Sequence, residues 1–234
     1  MLLPSNFRMN LHVVLVVFDY IVILFSVSVH ESAHAWMANK LGDPTARMLG
    51  RITLNPLKHI DLFGTVLLPL IAATTGARLL GWAKPTPVDT RNFKHRVRDD
   101  ILTSLVGPAS NFAVAICCFV LLGIIAKTSP TGTRVIHDIV SSGSFDSSTL
   151  ITPFAVLLYE GIFINILLGI FNLIPLAPLD GSHVLRHFLP TGIRRVFDIA
   201  GIAILWALVL LNVPFLGPVL GPAMDIFNKN LMRL

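Results

Sequence analysis

The chain has 234 residues, of which 54% are hydrophobic and 13% are charged, and its formal net charge is +5. A soluble domain carries roughly 25% charged residues, so this composition excludes a large soluble core and indicates a polytopic membrane protein. The lysines and arginines cluster in the loops between apolar segments, which is their usual distribution in membrane proteins. The net charge is therefore explained without a nucleic-acid partner.

Apolar segments predict an all-α membrane protein. Four of them are long enough to cross a bilayer: 11–38, 101–126, 153–174 and 196–213. A fifth, 62–77, is shorter and is interrupted by glycine and proline, which is typical of a re-entrant segment. Because the proline-rich C-terminal tail could add a short hairpin, we expect about four to six transmembrane helices.

Loop charges predict the orientation. The loops 37–61 and 82–100 flank the short segment and are both basic, so we expect both in the cytoplasm. The N-terminus then lies outside, and the C-terminal end of the first helix faces the cytoplasm, in a bacterial cell (inner) membrane. The first apolar segment shows no cleavage site for a signal peptidase, so we expect it to be retained.

The run HESAH, at positions 30–34, stands near the cytoplasmic end of the first helix. His30 and His34 are four residues apart, so on a helix they share one face and can bind one Zn²⁺ through ring nitrogens. Glu31 is displaced around the helix and can act as general base towards a water at that metal. Polar groups at such a position are candidates for function by default.

A catalytic zinc keeps three protein ligands and one open position, and two acidic residues are candidates for the third ligand. Asp180 follows Pro175 and Pro178, which should unwind the third helix near its cytoplasmic end, at the depth of the histidines. Glu160 lies near the opposite end of that helix, about 20 Å away. Depth favours Asp180 and leaves Glu160 as the alternative.

Five runs together resemble the site-2 proteases, a family of intramembrane zinc metalloproteases: HESAH, GRITLNP (50–56), GWAKPTPV (81–88), GPASN (107–111) and NLIPLAPLDG (172–181). The resemblance extends from about residue 26 to residue 185 and is to the compact bacterial subgroup that lacks a PDZ or CBS domain. It implies one zinc ion held by His30, His34 and Asp180, with Glu31 as catalytic base. It also implies cleavage of a substrate's transmembrane helix near the cytoplasmic face.

Three asparagines are further candidates. Asn172 could stabilise the oxyanion of a tetrahedral intermediate or hold substrate, or could bond backbone groups freed by the nearby prolines. Asn111, in GPASN, is a candidate substrate contact or a helix-end hydrogen-bonding residue. Asn55 belongs to GRITLNP, whose alternation predicts a strand in a short β-hairpin; the edge of that strand could bind an unwound substrate.

We expect a single membrane-embedded domain over 1–234, with a catalytic core at about 11–190 and a C-terminal helix and tail at 191–234. The expected partners are the lipid bilayer and a membrane-protein substrate. Two other functions stay open: a membrane zinc protease of another class with Glu160 as third ligand, and a zinc transporter. A transporter would need a second helix with polar ligands near the bilayer midplane.

Overall fold

The computed structural model describes residues 5–67, 82–142, 149–211 and 213–234, and within these ranges every regular element is helical. The helices are α1 (Ser5–Leu41), α2 (Thr45–Met48), α3 (Arg96–Thr128), α4 (Pro130–Ser142), α5 (Ile151–Leu173), α6 (Asp180–Phe188), α7 (Thr191–Leu210) and α8 (Gly217–Leu231). Shorter turns are two 3₁₀ turns, Pro56–Lys58 and Thr90–Asn92, and one π-helical turn, Leu62–Leu67.

Three helices in the described part of the chain are long and apolar enough to cross a membrane: Val16–Leu41 within α1, all of α3 and all of α5. They confirm the first three predicted spans and the all-α membrane class. The fourth predicted span, 196–213, is not among these helices, and the expected total of four to six stays a prediction because residues 68–81 and 212 lie outside the described part. Helix α7 does form there, but its first turns carry Arg194, Arg195 and Asp198, and the apolar remainder is shorter than the roughly 20 residues that a span needs.

The predicted β-hairpin is also wrong, because residues 50–56 form no strand. Gly50 has a left-handed backbone with φ +67°, and the Asn55 side chain accepts a hydrogen bond from the Leu57 N–H to cap a 3₁₀ turn. The His59 ring also bonds the Thr53 carbonyl at 2.9 Å. Side chains thus form hydrogen bonds with local backbone groups that an edge strand would use to pair with a partner strand.

The predicted re-entrant segment, 62–77, lies partly outside the described residues. Its described part is the single π-helical turn Leu62–Leu67, against which Trp82 packs through hydrogen bonds to Gly64 and Thr65. Re-entry is not supported by what is described.

Helix α3 is the centre of the bundle. It packs against α5 and α1 along most of its length and also contacts α4 and α6. The largest buried apolar cluster lies between α3, α4, α5 and α8, and includes Leu122, Ile136, Ile162, Ile166 and Leu231. The cluster takes its α3 residues from the C-terminal half of that helix, so the buried polar side chains of the N-terminal half, such as Thr103 and Asn111, lie outside it.

Asp43, just beyond α1, anchors the extended segment that precedes α3. Its buried carboxylate accepts hydrogen bonds from the N–H and hydroxyl of Thr45, the Asp89 N–H at 2.7 Å and the Asn92 amide at 2.8 Å. Burial by itself raises the pKa of Asp43, but these hydrogen bonds outweigh it and hold the pKa below its ordinary value. The ionised carboxylate therefore stabilises the folded chain.

We expect Asp43→Asn to lower the free energy of unfolding by about 1–3 kcal/mol at pH 7, because an amide N–H would then face the Asp89 N–H without an acceptor. Thermal unfolding in detergent measures this. A carboxylate with a lowered pKa stabilises above its unfolded pKa and loses that contribution as pH falls through its folded pKa. The difference between wild type and variant should therefore shrink below about pH 4; a difference that does not change with pH would contradict the assignment.

Candidate metal centre

His30 and His34 lie on the inner face of α1, roughly 10–16 Å before its C-terminal end. Both are almost completely buried, at 6% and 7% exposure. Their Nε2 atoms are 3.0 Å apart and their rings meet edge to face. The helical spacing in HESAH thus brings two imidazole nitrogens together inside the bundle, as the sequence predicts.

Asp180 reaches the histidines because α5 stops early. The helix ends at Leu173, the proline-containing stretch 174–179 is not helical, and α6 begins at Asp180. The predicted unwinding is therefore confirmed. Asp180 Oδ2 lies 3.1 Å from His30 Nε2 and 3.3 Å from His34 Nε2. An acidic residue in the first turn of a helix is favoured by the helix dipole.

Two glycines permit these close approaches. A Cβ on Gly181 would lie 2.6 Å from the Leu173 carbonyl carbon, so only glycine lets the start of α6 fold back onto the end of α5. A Cβ on Gly107 of α3 would overlap His34 Nε2 and lie 2.7 Å from His30 Cε1. The imidazole rings therefore rest directly on the backbone of α3.

The hydrogen bonds of the Nδ1 atoms decide which tautomer each histidine adopts. His34 Nδ1 is 2.6 Å from the Thr103 carbonyl, which can only accept a hydrogen bond, so Nδ1 carries the proton. His30 Nδ1 is 2.6 Å from Asn111 Oδ1 and donates in the same way. In neutral imidazoles both Nε2 atoms then present lone pairs towards Asp180, which is the usual arrangement for metal-binding histidines.

The three atoms fit a zinc ion. Ligand atoms at 2.0–2.1 Å from a tetrahedral Zn²⁺ lie roughly 3.3–3.4 Å apart, and the observed separations are 3.0–3.3 Å. Asp180 Oδ2 is buried and receives no hydrogen bond. Three acceptor atoms that face one another repel, and a divalent cation between them removes the repulsion. Among the described residues, this is the group of histidine and acidic side chains that could hold a metal ion.

Asp180 is carried by a helix that is tied to the bundle at both ends. Gly181 lets the start of α6 lie against the end of α5. At the other end of α6, His187 Nε2 lies 2.7 Å from Asp100 Oδ2 of α3.

Glu31 is held by the extended segment before α3. The Thr86 N–H donates to Glu31 Oε2 at 2.8 Å, and the Thr86 hydroxyl donates to the Glu31 carbonyl at 3.0 Å. Thr86 is flanked by Pro85 and Pro87, which restrict the local backbone. The segment therefore fixes the orientation of the Glu31 carboxylate next to the histidines.

The remaining predicted residues have different positions. Asn172, in the last turns of α5, donates to the Leu168 carbonyl at 3.0 Å. Asn111 is predicted as a substrate contact, but it is fully buried and bonds His30, so it supports a histidine from behind. Asn55 is exposed and caps its own turn. Glu160 lies in α5 and is not among the clustered metal-binding atoms.

Three residues that the structure brings into the site were not singled out from the sequence. Thr86 lies in the quoted run GWAKPTPV, and Gly107 begins GPASN. Each therefore belonged to a recognised motif, but the motif did not indicate what the residue does. Asn165, which bonds Asn111 at 2.9 Å, carried only the signal of an amide within an apolar helix, where polar groups are costly.

Comparisons with known proteins agree with this geometry. The family model for Peptidase family M50 matches residues 18–211. "Putative zinc metalloprotease YwhC" of Bacillus subtilis (strain 168) is 34% identical over 215 residues, which cover 92% of this chain and 89% of that protein. "Putative zinc metalloprotease Rip2" of Mycolicibacterium smegmatis is 30% identical over 199 residues, which cover 82% of this chain and 66% of that protein. No solved structure is significantly similar to the chain.

The family match and the names of these relatives support a membrane-embedded zinc metalloprotease. The chain belongs to peptidase family M50, the site-2 proteases. Zinc is accordingly the metal that the His30, His34 and Asp180 group suits.

We expect Gly107→Ala to abolish stoichiometric zinc binding, because the added methyl group would occupy the space of the His34 ring. Zinc per chain in detergent-purified protein measures the loss. Gly123→Ala on the same helix is the matched control, since its Cβ would meet Leu234 Cδ1 at an ordinary 3.5 Å. Full zinc content in Gly107→Ala would show that the rings do not rest on α3.

Proposed function

We propose that this chain is an intramembrane endopeptidase that cleaves transmembrane segments of other membrane proteins near the cytoplasmic face. The observation that carries the proposal is the depth of the ligands: His30 and His34 lie inside the candidate span Val16–Leu41, buried against α3. A peptide bond must therefore come to the level of the spanning helices to be hydrolysed. The basic loops on both sides of 62–77 support a cytoplasmic position for the C-terminal end of α1, near which the two histidines lie.

In this proposal His30, His34 and Asp180 hold one zinc ion. When bound, zinc polarises a water and a peptide carbonyl and lowers the pKa of the water towards 7. Glu31 accepts a proton from the attacking water and returns it to the leaving amine. The Thr86 N–H keeps one Glu31 oxygen in place, so that the carboxylate does not need to reorient during the proton transfer.

Asn172 is the amide that we assign to the substrate. One of its N–H hydrogens bonds the Leu168 carbonyl, and the second is the donor that we assign to the substrate's carbonyl oxygen as negative charge develops there. A positioned donor of this kind is worth about 10²–10³ in kcat. Its place just before the unwound stretch 174–179 supports this role, since a substrate backbone could approach there without meeting a continuous helix.

We further infer that residues 1–234 act as one membrane-embedded domain. The contacts of α6 with α3, and of α8 with α3, α4 and α5, support this inference. The catalytic core then comprises about 11–190, and the C-terminal part 191–234 completes the bundle. We place the protein in the bacterial cell membrane.

We expect Glu31→Gln to keep one zinc per chain and to lower cleavage by about 10²–10⁴-fold, because general base catalysis is lost while the three ligands stay. Purified variants in proteoliposomes, tested against a panel of tagged single-span proteins, measure cleavage, and mass spectrometry of the products locates the cut. Cleavage within the membrane segment supports the proposal.

The chain offers a matched control because it has only two glutamates, Glu31 and Glu160. Glu160→Gln should keep both zinc and cleavage, whereas Asp180→Ala should lose both. Zinc loss in Glu160→Gln would move the third ligand and favour the other class of protease. Zinc flux into vesicles that depends on Glu31, without any cleavage, would favour a transporter.

A further inference from the structure

Asn165 lies in the middle of α5 and is completely buried within a candidate span. It is not one of the clustered metal-binding residues. An amide in such a place loses its hydration and is retained only where its hydrogen bonds are satisfied. The structure supplies these bonds from three helices, and their directions can be worked out.

The orientation of the Asn165 amide is fixed by a backbone carbonyl. Its Nδ2 donates to the Gly161 carbonyl at 2.8 Å and to Ser26 Oγ at 2.8 Å. Because a carbonyl can only accept, this side of the amide must be the NH₂ group. Asn165 Oδ1 therefore faces Asn111, whose Nδ2 donates to it at 2.9 Å.

The orientation of Asn111 then follows from Asn165 Oδ1 and from the Ser26 carbonyl, which both accept from its NH₂ group. With its NH₂ group bonded to Asn165 Oδ1 and directed at the Ser26 carbonyl at 3.3 Å, Asn111 presents Oδ1 to His30 Nδ1. That oxygen accepts the His30 proton and leaves Nε2 with a lone pair. A flipped Asn111 would instead donate to Nδ1, move the imidazole proton to Nε2 and block the metal-binding atom.

The tautomer of His34 does not depend on the orientation of an amide. Its Nδ1 is bonded to the backbone carbonyl of Thr103, which cannot exchange donor for acceptor. The site thus has one histidine oriented by the backbone and one oriented by an amide that could turn around. The orientation of the second depends on two acceptors for the Asn111 NH₂ group, Asn165 Oδ1 at 2.9 Å and the Ser26 carbonyl at 3.3 Å, of which Asn165 makes the shorter contact.

We propose that Asn165 is a positioning residue that holds Asn111 in one orientation and thereby presents His30 Nε2 to the zinc ion. This inference rests on the proposed ligand set. Loss of a partner behind a metal-binding histidine typically weakens metal affinity 10–100-fold. Since Asn165 acts only through Asn111, its removal should have no effect once Asn111 is gone.

The test compares two variants of Asn165. In Asn165→Ser the hydroxyl can still bond the Gly161 carbonyl but is too short to reach Asn111, so zinc affinity should fall about 10–100-fold. Asn165→Asp keeps an oxygen for the Asn111 NH₂ group and, as the neutral acid favoured by an apolar surrounding, an O–H for the Gly161 carbonyl, so it should recover most of that affinity. Competition with a colorimetric zinc chelator, on purified protein in detergent, measures the dissociation constants.

A double-mutant cycle separates positioning from general stabilisation. If Asn165 acts through Asn111, then Asn165→Ser in an Asn111→Ala background should leave the zinc dissociation constant unchanged. Additive losses, or wild-type affinity in Asn165→Ser, would overturn the inference. Serine is smaller than asparagine, but its hydroxyl can still bond the Gly161 carbonyl, and thermal unfolding of the metal-free proteins verifies that the variant folds. If Asn165→Ser unfolds, the Asn165→Asp variant decides: a loss of zinc affinity in that folded variant would count against the inference.

The Asp180→Ala variant separates an error in the proposed ligand set from an error in the role of Asn165. Zinc lost in Asp180→Ala but kept at wild-type affinity in Asn165→Ser overturns the positioning role and leaves the ligand set intact. Zinc kept in Asp180→Ala overturns the proposed ligand set and this inference with it.

Discussion

The structure depends on holding three acceptor atoms within 3.0–3.3 Å of one another in an apolar surrounding. Left alone, His30 Nε2, His34 Nε2 and Asp180 Oδ2 repel, and burial makes the repulsion stronger because few water molecules screen it. Each ligand is therefore supported by the protein behind it. The two imidazoles are fixed through their Nδ1 atoms, and the carboxylate is fixed by the start of α6. A divalent cation completes the arrangement.

One helix provides both the surface that the imidazole rings approach and the hydrogen bonds that orient them. Helix α3 contributes Gly107, on which the imidazole rings rest, and the Thr103 carbonyl and Asn111 amide that orient them. Its other half packs into the apolar cluster with α4, α5 and α8. Polar groups within a bundle of apolar helices are costly, and here they surround the metal centre, where their hydrogen bonds are satisfied by one another.

The proposed ligands and the proposed base are positioned by different kinds of structure. Regular helices carry His30, His34 and Asp180, whereas an extended segment carries Thr86, which holds Glu31. One end of that segment is bound to Asp43, and its other end is bound through the Lys84 N–H to the His59 carbonyl at 2.9 Å. The buried Asp43 carboxylate therefore helps to hold the segment that contacts Glu31, although it lies outside the candidate metal centre.

The sequence by itself determined the membrane class, the first three spans and the grouping of His30 and His34 with Asp180, because apolar length, helical spacing and proline position are local properties. It did not determine the conformation of 50–56, where a few alternating residues cannot be told from a loop. Only the tertiary structure decided which groups stand behind the ligands. Asn165 and Asn111 are 54 residues apart and meet only when α3 packs on α5, and such a contact leaves no periodic signal in the chain.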